Sequence, residues 1–137
     1  MAKTLITANE AAKEVFDVLK ESSISISGNI YLDSRPLNSD KEDIVVRTLA
    51  MGADQRQSGI VNVNIHVPNL HLIGDNTQPN RSRFNDIGDA CLEALDDRWG
   101  RNFNFHLQNA GTMETDGKEW FLNIRVRFNS IRVTETV

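Results

Sequence analysis

Four side chains invite a metal or nucleophile reading: His66, His71, His106 and the single cysteine, Cys91. Structural zinc takes Cys or His in tight pairs, so that one turn or hairpin supplies two ligands at once. No such spacing occurs here. His66 and His106 stand at polar positions of strand patterns, His71 in a connector, and Cys91 on the apolar stripe of a helix. A thiol on such a stripe behaves as a small core residue. The chain also lacks a glycine-rich phosphate loop, a Gly-x-Ser-x-Gly elbow and a paired-carboxylate metal motif. An enzymatic site would have to gather His66, His106 and loop acids, and spacing alone brings no two of them together. No catalytic, cofactor-binding or metal residue is assigned, and an enzyme is not expected.

Two charged sets remain. Between Phe84 and Asp97 stand Asp86, Asp89, Glu93, Asp96 and Asp97, with no base among them. At about 100° per residue all five fall opposite the stripe Phe84, Ile87, Gly88, Cys91, Leu92, Ala94 and Leu95. Like charges three and four apart weaken a helix slightly. The row is therefore either a solvated face or a surface for a basic partner. Arg125 and Arg127, two apart on a strand pattern, share one face with Asn123 and Phe121. An RNA-binding sheet would carry more aromatics and a basic surround. This pair is either the exposed side of a strand or a contact between subunits. Residues 118–137 sum to +2 and the rest of the chain to −6, so the two parts could attract each other within or between copies.

The elements that must position these groups are legible. At 137 residues, with 39% hydrophobic and 25% charged content, one soluble α+β domain is the natural reading. A net charge of −4 argues against a generic nucleic-acid binder. One cysteine excludes an internal disulfide. The opening MAKTLITANEAAKE has no apolar core of a signal peptide, and no apolar run is long enough for a membrane span, so neither is expected.

Thr7 and Glu10 form a capping box ahead of a helix over 8–21, with a stripe of Ala8, Ala11, Ala12, Val15, Phe16, Val18 and Leu19. A strand is expected over 23–32, broken at Gly28-Asn29, where a bulge or tight bend fits. The run Ile44-Val45-Val46 predicts a strand over 43–50 buried on both faces. The alternation Val61, Val63, Ile65, Val67 predicts its hairpin partner over 60–67. A second helix is expected over 83–99, capped by Ser82 or Asn80, ended by Gly100, with Gly88 lying close to the sheet. Phe103, Phe105 and Leu107 mark a strand over 102–107, and Asp116-Gly117 a hairpin turn. The last strand, 118–133, alternates strictly from Trp120 to Asn129, then slips, which fits a bulge at Asn129–Ser130. Fully extended it would reach roughly 53 Å, against a radius of gyration of about 14 Å for a compact chain of this length. It either bends or leaves to pair elsewhere. The order is α-β-β-β-α-β-β: a mainly antiparallel sheet with two helices on one face.

With these elements in place the chain resembles the tail terminator and tail-completion proteins of long-tailed bacteriophages. The resemblance runs through the opening helix and then SISISGNIYLDSRPLNSDKEDIVVRTL, QSGIVNVNIHVPNL, RFNDIGDACLEAL and EWFLNIRVRF, features spread over almost the whole chain. It implies a homohexameric virion ring, assembled in the host cytoplasm, that caps the finished tail tube and offers the joining face to the head. The implied partners are further copies of the chain, the tail tube protein and a neck or connector protein, with DNA passing through the lumen without specific binding. No cofactor is implied. A ring built head to tail needs two different, complementary patches per subunit. Arg125 and Arg127 on one side, and Asp86, Asp89, Glu93, Asp96 and Asp97 on the other, are the candidates. The competing readings are a neck or head-closure ring and a non-viral module that adds a peptide strand to a sheet edge.

Overall fold

The computed structural model describes residues 5–131. Helices α1 (Ala8–Glu21) and α2 (Arg81–Leu95) accompany strands β1 (Ile30–Leu32), β2 (Asp43–Met51), β3 (Arg56–His66), β4 (Arg98–Trp99), β5 (Phe103–Leu107), β6 (Thr112–Thr115) and β7 (Trp120–Ile131). The strands form one sheet, ordered β1-β2-β3-β7-β5-β4, with β6 also on β7. Only β1–β2 is parallel. The fold is α+β with both helices on one face, and the α-β-β-β-α-β-β order holds with two short strands, β4 and β6, added.

The Thr7–Glu10 box closes as expected. The Glu10 amide donates to Thr7 Oγ1 (3.2 Å) and the Thr7 amide donates to Glu10 Oε1 (3.1 Å). Ala11, Ala12, Val15 and Leu19 of α1 are buried against the sheet. They meet Ile44 and Val46 of β2, Val61, Val63 and Ile65 of β3, and Ile124, Val126 and Phe128 of β7 in one core. Val45, on the other face of β2, is also buried, as its unbroken apolar run predicted. Gly88 of α2 does approach the sheet: a Cβ there would stand 3.0 Å from Leu122 Cδ2.

Four expectations are corrected. The first strand covers only Ile30–Leu32. Upstream, the chain is tied by single contacts and not by a ladder: Gly28 N to the Glu42 carbonyl (2.8 Å) and the Glu42 amide to Ser27 Oγ (2.9 Å). Second, α2 stops at Leu95 and not at Trp99. Asp96 is extended and Asp97 takes a positive φ of 52°. Pairing of Arg98-Trp99 with Phe105 and Asn104 pulls the chain out of the helix. Gly100 then turns the β4–β5 hairpin and is not the helix stop. Arg98 still meets the helix end, its Nε donating to the Ala94 carbonyl (2.7 Å).

Third, over the described residues β7 does not outrun its body. It pairs with β3 without interruption from Phe121 to Ile131, and its other edge takes β6 and then β5. It is the spine of the sheet. Fourth, it has no bulge at Asn129–Ser130. Ser130 holds the core-facing position and is buried, its hydroxyl reaching the Asn102 carbonyl (3.3 Å). A serine among inward positions disguised a continuous period. Arg132 and Val133 lie outside the described residues. The irregularity falls in β2, between Thr48 and Met51, opposite Gly59. A Cβ on Gly59 would stand 2.5 Å from the Ala50 carbonyl oxygen, so only glycine fits beside that kink.

Candidate functional site

The sheet face away from the helices is a field of amides and arginines. Cross-strand register sets Arg47, Asn62 and Arg125 in one row, and Ile60, Arg127 and His106 in the next. Asn123 Nδ2 donates to Asn64 Oδ1 (2.7 Å) and Asn62 Oδ1 (3.2 Å), and its Oδ1 accepts from Arg125 Nε (3.3 Å). Arg127 donates to Ser58 Oγ (2.9 Å) and Gln108 Oε1 (3.1 Å). Among the described residues neither Arg125 nor Arg127 meets a carboxylate. The alternation thus placed both arginines correctly, on an uncovered face, held by neutral partners that leave their charge uncompensated.

The acids lie on the far side. Asp86, Asp89 and Glu93 are exposed on α2. Asp86 faces Arg83 at 3.8 Å. Arg83 also holds Glu42, its Nε donating to Oε2 at 2.6 Å, and this lowers the Glu42 pKa below the usual carboxylate range. Asp96 and Asp97 are exposed too, but in the turn beyond the helix. The five acids therefore do not form one helix face: three do, and two belong to the following turn. The arginine pair and the acids are not brought together in one subunit. They sit on opposite layers.

The histidines and the cysteine do not converge. His66 stacks on Phe121 (ring centroids 5.4 Å apart), and burial, aided by Arg35, lowers its pKa to about 4. His106 lies six residues along β7 from that point, beside Arg127. His71 is in the connector after β3. Cys91 is buried, and burial pushes its thiol up to about 12. Among the described residues no three of His, Cys, Asp and Glu stand together as metal ligands.

Three features went unforeseen. Gln57, at a core-facing position of β3, is buried. Its amide accepts from the Ile6 amide (2.9 Å) and donates to the carbonyls of Ile6 (2.9 Å) and Gly52 (2.8 Å). Beyond the other end of β3, residues 70–78 fold into a small closed hairpin. Leu70 N donates to the Gln78 carbonyl, and Leu72 and Asp75 exchange both backbone bonds. Gly74 at its tip has φ 76°. Asn69 Nδ2 and Trp120 Nε1 bolt it to the body through the carbonyls of Asn76, Lys118 and Thr77. Third, a cleft of about 420 Å³ opens at the opposite end of the sheet, lined by Arg56, Trp99, Arg101, Phe103, Ser130 and Ile131 among others. Its walls come from three distant stretches, which no local pattern links.

No protein-family model matches the chain, and no curated protein matches it.

Proposed function

We propose that the protein is a non-enzymatic building block of a bacteriophage virion, a homohexameric ring that caps the tail tube and joins it to the head, with DNA passing through its lumen. The observation that carries this reading is the division of charge between the two layers. Exposed acids of α2 and its following turn lie on the helix side, and Arg125 and Arg127, which meet no carboxylate among the described residues, lie on the open sheet side. Such a subunit is complementary to a copy of itself when layered front to back, and not when paired symmetrically. That is the heterologous contact that closes into rings. The resemblance to tail terminators supplies the place in the virion.

The test is the mass of the full chain in solution by native mass spectrometry, followed by end-on images of the particle. A six-fold ring is expected. Arg125→Glu/Arg127→Glu should disperse it, and adding Asp89→Lys/Glu93→Lys to the same chain should restore it. Unchanged assembly in the arginine variant would remove the front-to-back contact. A labelled copy found anywhere but the head-proximal end of the tail would remove the terminator role.

One observation favours a second reading. Beside Arg47–Met51 of β2 no described strand lies on the outer edge, since β1 pairs only with Ile44–Val46. Leu49 is exposed there. This edge suits an added peptide strand, whether from another protein or from a neighbouring subunit.

A further inference from the structure

The two ends of the sheet each carry exposed apolar side chains, beside an acid at one end and beside arginines at the other. At one end stands the closed hairpin 70–78. Its tip residue Ile73 is fully exposed (106%) and Leu72 half exposed (51%). Asp75 sits beside them, its carboxylate accepting from the Thr77 amide (2.8 Å) and hydroxyl (2.6 Å). An aliphatic side chain bare to water on a segment this well bonded is not a frayed loop. Its backbone is closed on itself, and Asn69 and Trp120 hold it to the body. The apolar tip is presented, and the hydrophobic effect favours covering it.

At the other end the cleft holds the apolar surface of Trp99 (74% exposed), Ile131 (53%) and Phe103, rimmed by Arg56 and Arg101. Among the described residues neither arginine makes an ion pair. The cleft volume of about 420 Å³ is at the lower end of ligand pockets, roughly 300–1,000 Å³. It has room for two branched aliphatic side chains. A copy cannot fill its own cleft. β3 runs from Arg56 at the cleft to His66 at the foot of the hairpin, a separation of roughly 35 Å at about 3.3 Å per residue.

We propose that the tip Leu72-Ile73 of one copy docks into the Trp99–Phe103–Ile131 cleft of the next, with Asp75 set against Arg56 and Arg101. The occupant is a second copy of this chain because tip and cleft agree in both apolar character and charge. The contact is heterologous and runs along the strands, across the direction of the front-to-back contact above, and it does not depend on that reading. Two such copies leave one free tip and one free cleft, so the chain can be extended by further units along this axis.

Directed disulfide capture tests it on the full chain. Ile73→Cys and Ile131→Cys are prepared separately, mixed under mild oxidation and resolved without reductant, with the links mapped by mass. Both positions are exposed, so neither change threatens folding, and the buried Cys91 stays out of the reaction. A dimer linked between positions 73 and 131 is expected in the mixture, with little dimer from either variant alone. Adding Asp75→Arg to the Ile73→Cys chain should lower the yield roughly threefold, the weight of one partly exposed ion pair. Adding Arg101→Glu to the Ile131→Cys chain as well should restore it. Dimers linked only like to like, equal yields without mixing, or no dimer at all would overturn the proposal. So would an Ile131→Cys thiol shielded from alkylation at high dilution, which would assign the cleft to the chain's own residues 132–137. Arg125→Glu/Arg127→Glu should leave the 73–131 link intact, which separates this contact from the ring contact.

Discussion

At the end of the sheet where β2 starts and β3 stops, the polar groups that fix the chain are charged. Asp43 is buried and accepts from the Asn29 amide (3.1 Å), from Arg35 Nη1 (3.3 Å) and from the Ser39 hydroxyl (2.5 Å). Arg35 turns its Nη2 to Glu119 (2.7 Å), the residue just ahead of β7. At the opposite end, where β3 starts and β7 stops, the corresponding work falls to neutral groups. Gln57 clamps Ile6 and Gly52, and Ser130 reaches the Asn102 carbonyl. Both ends satisfy buried polar atoms that would otherwise stay unpaired. They differ in the damage done when one partner is lost. A neutral clamp removed leaves groups that water can partly serve, whereas a buried ion whose partner is removed keeps its charge and loses its compensation.

The largest effect should come from the charged end. Asp43→Ala leaves Arg35 with only Glu119 and strips acceptors from Asn29 and Ser39, so a loss of about 3–5 kcal/mol is expected. Urea unfolding of the variant against wild type measures it. Asp43→Asn should cost less, because it keeps the volume and an acceptor oxygen. If the two variants are equally unstable, the charge is not what matters, and the contrast between the ends fails.

The neutral end should respond more gently. Gln57→Leu keeps the bulk but leaves Ile6 and Gly52 without the amide, and Gly52 is already exposed to solvent. A cost of about 2 kcal/mol is expected. Amide exchange should quicken around Leu5–Thr7 and the first turn of α1, not around Asp43. A loss spread evenly over the chain would mean that Gln57 props up the core and does not moor this segment.

How much of the fold the chain reveals on reading depends on how local each signal is. The α1 helix was legible because its cap and stripe lie within 14 residues. β3 and β7 were legible because their alternation runs longer than chance permits, and it put Arg125 and Arg127 on the right face. β4 and β6, with two and four residues, are too short to show any period. The end of α2 was misplaced because Asp96 and Asp97 continue the helical charge pattern, while the force that ends the helix is pairing of Arg98-Trp99 with a strand further on. Only part of the acidic surface was therefore read correctly. Gln57 gave no local signal, since its partners, Ile6 in particular, are set by tertiary contact. The hairpin 70–78 went unforeseen because its structure rests on backbone bonds and on Asn69 and Trp120, which carry no periodic signature.

The smallest effect, and the sharpest separation of the two ends, is in pH. His66 belongs to the charged end, pairing across the ladder with Asp43. Burial first, and the Arg35 charge second, lower its pKa from 6.5 to about 4. The unfolded chain takes up this proton near the ordinary value, the folded chain only near 4. Below the ordinary value the unfolded state binds more protons, so stability is complete above about pH 6.5 and declines as the pH falls toward about 4. The ring keeps some contact with water, so the loss is on the order of 1 kcal/mol and not the full equivalent of the shift. The Glu42–Arg83 pair acts in a lower window, since the depressed Glu42 pKa makes its contribution disappear only as the pH drops below the usual carboxylate value. Urea midpoints taken between about pH 7.5 and 4.5 should fall in wild type and stay nearly level in His66→Gln. Gln57→Leu should shift the curve down without changing its slope, because that clamp binds no proton. Equal slopes in wild type and His66→Gln would show that the charged end is no more sensitive to protons than the neutral one.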